Sequence, residues 1–132
     1  MSKWLNRLQP WGALLLRLVL GGTMIHYGYQ KVIPHGALSH FAHVVATLGL
    51  PSWLGYVSAF TEFVGGILLI VGLFTRLSAL FVSVNMLVAL FAVGIRQGFE
   101  TYSNIAALIA IAVMLLFYGA GKLALDRKIG FA

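Results

Sequence analysis

Four long stretches almost empty of charge leave few folds open to this sequence. Trp11–Gln30 runs for 20 residues with one charge, Arg17, and Trp53–Phe74 for 22 residues with one charge, Glu62. Leu77–Ile95 and Tyr102–Ala120 run for 19 residues each with none. A helix needs about 20 predominantly apolar residues to cross the hydrocarbon core of a bilayer. No run alternates with period two, which argues against a membrane β-barrel. The expected fold is all-α: an integral membrane, antiparallel four-helix bundle, one domain over residues 1–132, with spans at about 11–32, 53–74, 77–95 and 102–120. The first run is too long for the apolar core of a signal peptide and is expected to remain as a span.

Composition narrows the functional classes. Apolar residues make up 61% of the chain and charged residues 9%, far from the balance of a soluble domain or a disordered one. With no cysteine, the chain offers no disulfide framework, thiolate zinc site, iron–sulfur cluster or thiol nucleophile. The net charge of +6 is scattered as punctuation between apolar runs, which fits membrane topology better than a nucleic-acid surface. Lys3, Arg7, Arg76, Lys122, Arg127 and Lys128, with Arg17 nearby, fall on one side of a four-span arrangement, and Lys31 and Arg96 on the other. That asymmetry places both termini in the cytoplasm of a bacterial cell, with the chain in its inner membrane.

The connection Pro34–Pro51 holds Leu38, Phe41, Ala42, Val45 and Leu48 at helical spacing, with His40, His43 and Thr47 on the opposite face. A short amphipathic helix over about 36–48, lying on or dipping into the outer surface, is the expectation.

Each span carries one smaller or more polar stripe. These are Arg17, Gly21, Met24, Gly28 and Lys31 on the first; Ser58, Glu62, Gly65, Gly66 and Gly72, with Arg76 just beyond, on the second; Ser78, Asn85, Ala89, Ala92 and Arg96 on the third; and Asn104, Ala107, Ile111 and Lys122 on the fourth. Turned inward, the stripes would form the bundle interior, with Gly21, Gly28, Gly65, Gly66, Gly72 and Arg76 serving helix packing. Glu62 is the one acid within a span, and a charge that deep must be paired, protonated or exposed to a water-filled cavity. Two readings stay open: a buried Arg17–Glu62 ion pair that fixes helix register, or a polar pocket of Arg17, Tyr27, Lys31, Glu62, Asn85 and Asn104 that holds a proton carrier or a quinone headgroup. His26 lies about half a turn of the wheel from Arg17, and no second span histidine supports haem. His35, His40 and His43 are weak metal candidates, without a carboxylate or cysteine beside them. No flavin motif or phosphate-cradling glycine loop is present.

In order along the chain come Arg17-Leu-Val-Leu-Gly21 with Gly28 and Lys31, the Gly49-Leu50-Pro51 turn, Glu62-Phe-Val-Gly65-Gly66 with Gly72 and Thr75-Arg76, and Gly119-Ala120-Gly121-Lys122 with Leu125-Asp126. In these elements the sequence resembles the DoxX family (DoxX/DoxD-like) of small four-helix membrane proteins, from Arg17 to Asp126. It departs from many relatives in placing Tyr27, not histidine, before Gly28, and Ala120 where proline is common. The resemblance implies association with membrane redox systems, such as a subunit of a thiosulfate:quinone oxidoreductase or a membrane partner of sulfurtransferase and superoxide dismutase. Three functions remain open: a subunit of a quinone-linked oxidoreductase or oxidative-stress complex, a non-catalytic assembly or anchoring subunit, and a small proton-coupled transporter working as a homo-oligomer. The implied partners are the lipid bilayer and other subunits or a second copy, with no nucleic acid.

Overall fold

A computed structural model describes residues 2–119. Among them all regular structure is helical. A short α1 (Ser2–Arg7) leads into α2 (Gln9–Val32), which has Pro10 in its first turn, where the missing N–H costs nothing. Pro34 closes off the α2 ladder, and Gly36, at φ 79°, turns the chain into α3 (Ala37–Thr47). Gly49, at φ 86°, and Pro51 lead into α4 (Trp53–Val71). That helix ends at Gly72, left-handed at φ 77°, whose N–H donates to Leu68 O at 2.8 Å. α5 (Thr75–Ala89) continues into a π-helical turn at Leu90–Gly94 and a last short turn, α6 (Ile95–Gln97). Gly98 breaks the path before α7 (Phe99–Tyr118).

α2 packs on α4, α4 on α5, α5 on α7 and α7 back on α2, while α3 lies against α4 and α2. The interior holds Leu20 and Met24 of α2, Leu69 of α4, Val82 of α5, and Ala112 and Leu115 of α7, none with any exposure. Outside is a belt of exposed Val, Leu and Phe, including Val64, Leu77, Phe81, Phe91 and Phe117. A surface this apolar suits lipid and not water.

Glycines set the α2–α4 spacing. A Cβ on Gly21 would lie 2.7 Å from Gly66 O, and a Cβ on Gly66 would lie 2.7 Å from Gly21 O. One on Gly28 would meet the Phe63 backbone N at 2.5 Å, and one on Gly65 would touch Val82 of α5 at 3.3 Å. α3 is held as closely, since a Cβ on Gly55 would lie 2.7 Å from the Ala42 Cα. Where apolar burial cannot drive helices together, approach of this kind is what holds them. Arg76, on the first turn of α5, is exposed and lies against Gly119.

The structure differs from expectation in two respects. Three helical segments, Trp53–Val71, Thr75–Gly94 and Phe99–Tyr118, are long and apolar enough to cross a membrane, against four spans expected. α2 has the length, 24 residues, but Arg17, His26, Gln30 and Lys31 dilute its apolar character. On α7 the inward face is Leu108, Ala112 and Leu115, whereas Asn104 and Ala107 are exposed. Lipid tails are as apolar as leucine, so the most polar stripe of a helix need not be its packed face. Lys122, Ala120, Gly121, Leu125, Asp126, Arg127 and Lys128 lie outside the described residues.

Candidate functional site

Glu62 stands mid-way along α4 and is 3% exposed. Lys31, in the last turn of α2, places its Nζ 2.8 Å from Glu62 Oε2 and 3.0 Å from Oε1. Asn85 of α5 donates its Nδ2 to Oε1 at 3.1 Å. The Lys31 ammonium also stands 4.3 Å from the centroid of the Phe41 ring on α3, a cation–π contact. Three helices thus meet at one carboxylate, and α3 joins them through Lys31. Removing an ionised carboxyl from water is costly unless it is paired and hydrogen-bonded, and here an opposite charge and an amide both hold it.

The expected Arg17–Glu62 pair gives way to Lys31–Glu62, and the reason is register. The crossing that sets Gly21 on Gly66 and Gly28 on Phe63 brings Lys31 level with Glu62. It brings Arg17 level with the last turn of α4, where its Nη1 donates to Leu69 O at 3.3 Å and Ile70 O at 3.4 Å. Arg17 is fully buried, and its cation sits at the negative end of the α4 dipole.

The cluster opens on a cavity of about 750 Å³ whose walls come from α2, α3, α4, α5 and α7. Tyr27, Lys31, Glu62, Asn85 and Asn104 all line it, and Arg17 does not. The remaining wall is mostly Val, Leu and Phe. An apolar cleft with a few convergent polar groups is the usual form of a small-molecule site.

Elsewhere, His26 is exposed, with its Nε2 3.3 Å from Gln30 Nε2 and its ring edge-on to Tyr27. His35, His40 and His43 are exposed as well, and no group of three metal-ligating side chains exists among the described residues.

Several contributors had no signal in the sequence. Phe41 was visible only as one apolar position on α3. Thr61, Gln97 and Thr101 also face the cavity, although Gln97 and Thr101 lie at the chain's turn from α5 to α7. The π-turn brings Ala92 and Val93 into the wall. Such turns recur at functional sites, but no residue pattern announces them.

Fold and site together define an all-helical, multi-pass membrane protein with a partly buried ion pair facing a mostly apolar cavity. The chain matches the DoxX family model over residues 12–95 and belongs to that family. It is 30% identical over 117 residues, 87% of this chain and 84% of the relative, to a Bacillus subtilis protein named "Putative oxidoreductase CatD". It is 33% identical over 131 residues, 94% of this chain and 95% of the relative, to an uncharacterized protein of Haemophilus influenzae. No solved structure matches it.

Proposed function

We propose that the chain is a small integral membrane subunit of a quinone-linked oxidoreductase, with the cavity at Glu62 as its quinone site. One observation carries this reading: Lys31 and Glu62, joined by Asn85, are the charged residues among the described lining of a cavity whose wall is mostly Val, Leu and Phe. A quinone has that profile, with carbonyls at one end and a hydrocarbon body. The family and the name of the Bacillus relative lend it support.

In this reading α2, α4, α5 and α7 form the antiparallel four-helix bundle and cross the bacterial cytoplasmic membrane with both termini inside. α2 crosses despite its charges, because Arg17 and Lys31 are bonded within the protein. Lys31 then polarises a quinone carbonyl, and Glu62 exchanges protons with the reduced oxygen. Reduction to the quinol takes two electrons and two protons. The electrons come from a partner subunit, because this chain has no cysteine and no flavin motif.

The test is turnover of the native complex extracted in mild detergent. Glu62→Gln should lower quinone reduction by about 10²-fold, the scale of a lost acid–base group, with assembly unchanged. Normal turnover in a normally assembled variant removes Glu62 from the reaction. A chain that purifies without any redox partner removes the subunit role.

A further inference from the structure

The charge balance of the cavity defines what can enter it. Among the described residues lining it, Lys31 and Glu62 are the two that carry a formal charge, and they neutralise each other at 2.8 Å. Arg17, Arg76 and Arg96 are not in its wall. Neutral hydrogen-bonding groups remain available. Asn85 commits one Nδ2 hydrogen to Glu62, and its Oδ1 makes no hydrogen bond among the described residues. Asn104 and Gln97, also in the wall, make no side-chain hydrogen bond there either.

Part of the cavity wall belongs to the exposed apolar belt. Val57 of α4 and Phe81, Val84 and Val88 of α5 line it and are also 45–56% exposed. A ligand can therefore reach the cluster sideways from the bilayer, between α4 and α5.

We propose that the site selects its ligand by headgroup charge. It admits an uncharged amphiphile whose carbonyl or hydroxyl group hydrogen-bonds at Lys31, Glu62 and Asn85 and whose hydrocarbon body leaves through the α4–α5 opening into lipid. A headgroup with net charge would add an uncompensated ion to an apolar enclosure, which is strongly unfavourable. The Lys31–Glu62 pair is thus a specificity filter as well as a helix contact. This rests on the cavity being the ligand site and is independent of whether the ligand is redox-active.

The filter makes a prediction of inversion. Glu62→Gln leaves an ammonium without its counter-ion, so the cavity should then favour an anionic headgroup. Lys31→Met combined with Glu62→Gln removes both charges, so selection for uncharged headgroups should return.

The experiment is equilibrium binding to the full chain in nanodiscs of neutral phospholipid, with four probes of similar chain length. These are a decyl benzoquinone, a monododecanoyl glycerol, dodecanesulfonate and dodecyltrimethylammonium, all below their micellar concentrations. For the natural sequence, both uncharged probes should bind at least about tenfold tighter than either ion. Glu62→Gln should reverse the order of the sulfonate and the uncharged probes, and the double variant should restore it. Equal binding of charged and uncharged probes by the natural chain overturns the proposal, as does a Glu62→Gln chain that keeps the original order. If Glu62→Gln does not fold, the double variant decides, because it buries no unpaired charge: preference for either ion there overturns the filter. Uncharged selection without any quinone turnover in the complex would refute the oxidoreductase reading alone. Binding of the glyceride in preference to the quinone would assign a hydroxyl-headed lipid as the ligand.

Discussion

Replacing Gly28 by alanine tests the packing that builds the site. Gly28 lies one turn before Lys31, and a Cβ there would stand 2.5 Å from Phe63 N, 2.7 Å from its Cα and 2.8 Å from its Cβ. These are mostly backbone atoms of α4, so no side-chain rotation relieves the clash and the helices must part. Ordinary contact begins at 3.4 Å, so the separation needed is about 0.9 Å. Phe63 adjoins Glu62, so the same movement draws Lys31 Nζ from 2.8 Å to beyond hydrogen-bonding range. Overpacking of this kind costs about 1–3 kcal/mol, and weakening a charge-assisted bond adds about 1.5–3 kcal/mol. The better helix propensity of alanine returns about 1 kcal/mol. The expected net loss is about 1.5–5 kcal/mol. Gly22→Ala is the control on the same helix, because nothing lies within 4 Å of its added Cβ; it should leave stability unchanged or raise it by up to about 1 kcal/mol. Unfolding in mixed micelles, followed by far-ultraviolet circular dichroism, compares the two. Equal stability of the Gly28→Ala and Gly22→Ala chains would refute the claim that close backbone approach holds α2 on α4.

Lys31→Met should destabilise the chain by less than the roughly 3–5 kcal/mol of a fully buried broken pair, since the Lys31 side chain is 25% exposed. Adding Glu62→Gln should recover most of that loss in the same unfolding assay, and no recovery would show that Lys31 acts through packing alone. Phe41→Leu removes a contact worth about 0.5–2 kcal/mol. Amide exchange across α3 should accelerate several-fold relative to α7; an unchanged α3 would mean that Ala42 on Gly55 suffices to dock it. Single cysteines introduced into this cysteine-free chain report topology. Ser2→Cys should react with an impermeant thiol reagent only in inverted vesicles and Ser39→Cys only in intact cells, and the opposite pattern would reverse the proposed orientation.

Composition and run length alone determined the class of protein. A chain with 61% apolar and 9% charged residues and runs of helix-spanning length has no soluble fold open to it, whatever its contacts. The candidate pocket was legible for a related reason. Polar side chains inside a span are too costly to place at random, so Arg17, Tyr27, Lys31, Glu62, Asn85 and Asn104 stood out; the last five line the cavity and Arg17 does not.

The pairing within the pocket was a different matter. Arg17 and Lys31 share one face of α2, and helical rise gives no means of choosing between them as the partner of Glu62. The choice is made by the α2–α4 register, set where Gly21 meets Gly66 and Gly28 meets Phe63. It depends on backbone contacts between residues 35 to 45 positions apart, which no local pattern encodes. The inward face of α7 was hidden as well, because in lipid both faces of a helix are apolar and close packing alone separates them. The sequence therefore determined that this protein is a membrane helix assembly and that a buried carboxylate needs a partner. The tertiary structure decided that the partner is Lys31, that Phe41 and Asn85 join it, and that the neutralised cluster lines a mostly apolar cavity.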